Sequence, residues 1–185
     1  MDNPYIRKVW HMKKAKLWIY FALANTLLII FDQYTKWLAT VKLKGKSSYE
    51  LIEGVFDFTY HENRGAAFSS LQGKGLILAI GTIFVVLFLI YCYSKIPTGK
   101  RMVPLRLIFV LLISGAIGNM LDRFIRHYVV DFLNFELINF PIFNVADCYI
   151  TISVVLFAIY AIFVYKEEEI DFLFHLRKKE TKKDA

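Results

Sequence analysis

The chain has 185 residues, 57% of them hydrophobic, with a mean hydropathy of +0.44, well outside the range of an ordinary soluble domain. Its formal charge of +7 would suit a nucleic-acid partner, but the basic residues bracket apolar runs instead of forming one patch, which argues against that class. Cys92 and Cys148 both fall inside apolar runs and imply neither a disulfide nor a metal framework. No zinc, P-loop or dinucleotide pattern occurs, so no cofactor is expected.

Four apolar runs follow in order: Leu17–Phe31, Leu76–Tyr93, Leu107–Leu121 and Cys148–Tyr165. Each is long enough, or extensible enough, to cross a membrane as a helix. The third extends back through Val103 if Arg106 snorkels to the interface. A cleavable signal peptide competes for the first run, given its basic start at Arg7, Lys8, Lys13, Lys14 and Lys16. No small-residue cleavage site follows Phe31, so the run reads as a retained span.

Orientation follows from lysine and arginine in the flanks. The first 16 residues carry five, Ser94–Arg106 carries four in 13, and the tail from Lys166 carries six in 20. Asp122–Asp147 carries two in 26. Both termini and the second loop are therefore expected in the cytoplasm, with loops 32–75 and 122–147 outside. A multi-pass membrane protein with both termini in the cytoplasm, folded as a single domain over 1–185, is the expectation.

Within the outer loop at 32–75, Trp37, Leu38 and Val41 recur at helical spacing, predicting a short interfacial helix. Lys42 to Ser48 read as a polar turn rich in lysine. From Val55 to Tyr60 the alternation of Phe56, Phe58 and Tyr60 with Val55, Asp57 and Thr59 predicts a half-buried strand. Small residues at 65–67 lead back toward the second span. The tail 166–185 reads as an amphipathic segment on the inner surface, its charges solvated.

Polar residues concentrate between Gly118 and Asp147. Asn119, Asp122 and Arg123 share a helix face by spacing, and the plain reading pairs Arg123 with Asp122 at the end of the third span. Asp131 sits among Val129, Val130, Phe132 and Leu133, a setting that favours a raised pKa. Asn144 and Asp147 suit an N-cap and first turn for the fourth span. If Asp131 and Asp147 meet, repulsion makes them share a proton, so that one can activate water while the other protonates a carbonyl. That is the chemistry of an aspartyl protease. His127 reads as a surface or supporting residue. A small transporter or ion-binding protein is the main alternative, because membrane carboxylates also make proton relays. A lipid-binding scaffold without catalysis is a third.

The pieces D-Q-Y-T-K at 32–36, N-R-G-A-A-F-S at 63–69, G-N-M-L-D-R at 118–123, V-V-D-F at 129–132 and F-N-V-A-D at 143–147 together resemble the lipoprotein signal peptidases (type II signal peptidases). They stand in the family's order and, with the spans, cover nearly the whole chain. One departure is Ser114 before Gly115, where the family's pattern usually has two adjacent glycines. The resemblance implies an α-helical membrane protein with four transmembrane helices, a small extracytoplasmic β-cradle and an interfacial helix. It implies a catalytic pair at Asp131 and Asp147. Supporting or substrate-binding positions are implied at Asp32, Lys36, Asn63, Arg64, Gly65, Asn119, Asp122, Arg123, Asn144 and Ala146. The implied substrate is a lipidated prolipoprotein cut N-terminal to its diacylglyceryl cysteine, without a cofactor. Membrane phospholipid and a globomycin-type inhibitor are implied partners, and a monomer is the expected state.

Overall fold

The computed structural model describes residues 4–65 and 75–173. Four helices in it are long and apolar enough to cross a membrane. The first, α1 (Pro4–Leu43), contains neither glycine nor proline after its first residue, so nothing interrupts its ladder for 40 residues. At 1.5 Å per residue it is about 60 Å long, twice the thickness of a bilayer's hydrocarbon. The helical spacing of Trp37, Leu38 and Val41 is therefore real but belongs to the last turns of α1. Asp32 lies inside this helix and not at its end, and the loop expected from residue 32 begins at Lys44. Gly45, at φ +74, turns the chain out of the helix.

Two strands follow, β1 (Tyr49–Ile52) and β2 (Phe56–Asn63), and a third, β3 (Val129–Asn134), comes later in the chain. They form one antiparallel sheet in the order β1-β2-β3, with a bulge between Phe58 and His61. The predicted strand is β2, extended by three residues at its far end. β3 went unread because Val129 to Phe132 are all buried, and a strand covered on both faces shows no alternation. Residues 66–74 lie outside the described residues, and with them the small residues Ala66 and Ala67.

Helix α2 (Gly75–Lys95) leads to α3 (Val103–Ile125), which packs against α1, α2 and α4 (Val145–Phe163) and is the hub of the bundle. α3 does extend back to Val103, but Arg106 does not snorkel. Its buried guanidinium donates to the Ile96 and Pro97 carbonyls at 2.5 and 3.3 Å and lies 5.1 Å from the Tyr93 ring centroid. It thereby satisfies carbonyls just past the end of α2. Ser114 donates to Asn25 Oδ1 at 2.8 Å, a buried hydrogen bond between α3 and α1 that gives the departure at this position a structural role.

After α4 the chain folds back through α5 (Glu167–Ile170). Glu169 receives Arg101 in two hydrogen bonds of 2.5 and 2.9 Å, and Ile170 is buried beside Tyr165 and Met102. Lys166, Glu167 and Glu168 are exposed, as a solvated face requires, while Glu169 departs from that reading by docking the start of the tail onto Arg101. Residues 174–185 lie outside the described residues. Cys92 and Cys148 are free; Cys92 is buried among apolar neighbours of α2 and α3, and Cys148 is half-buried.

Candidate active site

Five elements converge at one end of the bundle. α1 supplies Asp32 and Lys36, the end of β2 supplies Asn63, and α3 supplies Asn119, Asp122 and Arg123. β3 supplies Asp131, and the N-terminus of α4 supplies Asn144, Ala146 and Asp147. The convergence is possible because small residues let the helices approach. A Cβ on Gly115 would stand 2.5 Å from the Ala146 carbonyl oxygen, and one on Gly118 would stand 2.5 Å from Asp32 Oδ2.

The deepest layer is an ion cluster around Lys36, which is fully buried. Its ammonium has three hydrogens and three acceptors: Asp32 Oδ2 at 2.9 Å, Asp122 Oδ2 at 3.1 Å and Asn119 Oδ1 at 2.9 Å. Asp32 also accepts from the Ala146 backbone N–H at 2.9 Å, tying α1 to the first turn of α4. Gln33 donates to Asp32 Oδ2 and to the Gly118 carbonyl, each at 3.1 Å. Asp122 is shared between Lys36, Arg126 and the Val130 N–H at 3.2 Å. The Arg123–Asp122 pair read from spacing is thus replaced: Lys36 and Arg126 hold Asp122, while Arg123 donates to the Asn119 carbonyl at 3.3 Å. The half-buried Arg123 guanidinium feels the charges of Asp147, Asp131 and Asp122.

Above this layer three asparagines orient two carboxyls. Asn63 donates to Asp131 Oδ2 at 2.9 Å, and Asn144 donates to Asp131 Oδ1 at 2.6 Å. Asn119 donates to Asp147 Oδ1 at 2.7 Å. Each amide is held the right way round by what its oxygen accepts. Asn63 Oδ1 takes the Gly65 N–H at 3.0 Å, Asn119 Oδ1 takes Lys36 and Asn144, and Asn144 Oδ1 takes the Asp147 N–H at 3.1 Å. Asp147 Oδ2 in turn accepts the Asn144 N–H at 3.1 Å, so the expected N-cap is a complete capping box. Through Asn144 and Asn119, the two aspartates are joined by a continuous chain of hydrogen bonds.

Asp131 is 1% exposed, and its burial pushes its pKa up to about 6 against the hydrogen bonds of Asn63 and Asn144, with the Asp147 charge adding to the rise. Asp147 is half-buried. The two are therefore inequivalent in their access to solvent.

Of the residues expected to support the site, Arg64 is not directed at the carboxyls. It pairs with Glu62 at 2.8 Å and lies over the Tyr128 ring, 5.4 Å from its centroid. Glu62, bridging Arg64 and Lys44, is held at a pKa of about 2 by those two hydrogen bonds. His127 is exposed in the turn before β3, at φ +65. Sequence reasoning missed Gln33, Arg126, Gly115 and Gly118. Only Arg126 left a readable signal, its spacing of four from Asp122. Among the described residues, no three His, Cys, Asp or Glu side chains are grouped to hold a metal ion.

Residues 24–163 match the family model described as signal peptidase (SPase) II. The chain is 40% identical over 144 residues to a lipoprotein signal peptidase of Anoxybacillus flavithermus, covering 77% of this chain and 84% of the relative. It is 41% identical over 138 residues to one of Brevibacillus brevis, covering 75% and 90%. Two solved structures, described as bacterial membrane enzymes obtained by the in meso method, superpose with TM-scores of 0.67 and 0.70 at 36% and 34% identity. They cover 76% and 79% of this chain and 85% and 94% of theirs.

Proposed function

The chain belongs to the signal peptidase II family, and from that premise we propose that it is an aspartyl endopeptidase acting on prolipoproteins, with Asp131 and Asp147 as the catalytic pair. Its substrate is a precursor already carrying a diacylglyceryl group on cysteine, cut on the N-terminal side of that residue. The observation that carries the reading is the pair of carboxyls linked through Asn144 and Asn119.

Charge supports a shared proton. Asp32, Asp122, Asp131 and Asp147 share the site with Lys36, Arg123 and Arg126, so one proton on the pair makes the cluster neutral. A net charge buried at this depth would be costly. Asp131, with its raised pKa, is the holder of that proton. Asp147, in the first turn of α4, suits the role of base.

The reaction then runs in two steps. Asp147 takes a proton from water as the water oxygen attacks the scissile carbonyl carbon, and Asp131 gives its proton to the carbonyl oxygen. The resulting gem-diol collapses: the C–N bond breaks, Asp147 protonates the leaving amine, and a diol hydroxyl returns its proton to Asp131. Asn63, Asn119 and Asn144 fix the carboxyl orientations, and Arg123 is poised to meet a substrate carbonyl. The excess of lysine and arginine at both termini and in the second loop supports cytoplasmic termini, with the pair at the outer face. A globomycin-type depsipeptide is expected to block the pair, and the monomer carries every site residue.

The test is cleavage of a lipidated precursor by the purified protein in proteoliposomes. Asp131→Asn and Asp147→Asn are each expected to abolish cleavage, with the folded protein still recovered from the membrane. Normal turnover by either variant would remove that residue from the mechanism.

A further inference from the structure

The lysine-rich turn after α1 borders a cavity that the proposed chemistry does not use. It has a volume of about 650 Å³ and lies between the outer end of α1, the turn at 44–48 and the sheet. Its walls are apolar, with Leu38 and Ala39 on α1, Phe58 on β2 and Phe132 on β3. Lys42 and Lys46 stand at its rim. The three lysines of this stretch divide by role. Lys44 is engaged with Glu62 at 2.9 Å and with the Tyr60 ring, whereas Lys42 and Lys46 are exposed and have no ion-pair partner among the described residues.

Height in the membrane limits what can enter. Tyr34 and Trp37 are exposed and stacked on the lipid-facing side of α1, a pair suited to the interface. Lys42 stands five residues further out, roughly 7 Å along the helix. That matches the thickness of one headgroup layer, about 5–7 Å on each side of the hydrocarbon. The apolar wall therefore begins where acyl chains end, and the two unpaired cations stand where phosphates lie.

We propose that this cavity binds one anionic phospholipid of the surrounding leaflet, its phosphate between Lys42 and Lys46 and its glycerol and upper acyl chain against Leu38, Phe58 and Phe132. Charge complementarity selects an anionic over a zwitterionic headgroup. Phe132 follows Asp131 in β3 and is buried in the same cluster as Ala39 and Val130, so the bound lipid backs the strand that carries Asp131.

Native mass spectrometry of the full chain in detergent tests this first without any precursor, so that comparison is independent of the peptidase reading, and then with a lipidated precursor as competitor. Phosphatidylglycerol and phosphatidylcholine with identical acyl chains are the probes. Phosphatidylglycerol is expected to be retained roughly tenfold better, and Lys42→Gln/Lys46→Gln to abolish that preference. Leu38→Trp, which fills the cavity from its partly exposed wall, is expected to weaken both lipids. Equal retention of the two lipids by the unaltered chain, or unchanged preference in the double variant, overturns the proposal. Stoichiometric displacement of phosphatidylglycerol by a lipidated precursor also overturns it, by assigning the cavity to the substrate's own glyceride.

Discussion

Lys36 meets its three acceptors with no exposed surface, so its charge is meaningful only together with Asp32 and Asp122. Lys36→Met leaves Asp32 buried without a cation and Asp122 with Arg126 alone, and breaking such a buried pair costs about 3–5 kcal/mol. Thermal unfolding in detergent should register that loss, and cleavage should fall with it as Asn119 loses a donor that orients it toward Asp147. Asp131 gives a prediction of the opposite kind. Its folded pKa of about 6 lies above the unfolded value of 3.8, so the folded state binds the extra proton. The associated stability is complete below about pH 4 and is lost as pH rises through about 6. The shift of about two units bounds the effect at about 3 kcal/mol. Asp131→Asn removes this dependence, so the stability of the variant relative to the native chain should rise between pH 4 and 7. Its intercept is harder on the variant, because Asn63 and Asn144 both donate to this side chain and an amide offers only one acceptor. Parallel pH profiles for the two proteins would contradict the assigned pKa.

At the scale of elements, α3 brings the site together through two glycines. Gly118→Ala puts a methyl 2.5 Å from Asp32 Oδ2, and Gly115→Ala puts one 2.5 Å from the Ala146 carbonyl. Overpacking of this kind costs typically 1–3 kcal/mol, against at most about 1 kcal/mol gained in helix propensity. Gly81 in α2 has nothing within 4 Å of its Cβ, so Gly81→Ala should stabilise the helix by up to about 1 kcal/mol and leave turnover alone. Melting temperatures of the three variants test the contrast. The elements also explain what could be read from sequence. The spans were legible because each carries enough apolar length, and β2 was legible because its Phe56 and Phe58 alternate with polar residues. β3 was not, because its partners on both faces come from distant parts of the chain.

For the whole molecule, orientation is the property that cation counts predict and cysteine labelling can measure. Ser48→Cys and Leu137→Cys, both at exposed positions, should react with a membrane-impermeant thiol reagent in intact cells. Thr98→Cys should react only after the inner side is opened. The native cysteines lie within α2 and α4 and provide the background. Labelling in the reverse pattern would invert the assigned topology.

Composition, apolar length and flanking charge belong to the chain locally, and so the membrane class, the four spans and their expected orientation could be taken from sequence alone. The ordered motifs also placed Asp131 and Asp147 together in a single family. What they could not determine was the hydrogen-bond partner of each charged group, because such partners are chosen by helix approach and not by spacing. Arg123 and Asp122 are neighbours on one helix, yet Asp122 is held by Lys36 from α1 and by Arg126. Only the close packing of α1, α3 and α4 at Gly115, Gly118 and Ala146 brings Lys36 within reach, and only that packing turns separate polar residues into one network around two carboxyls.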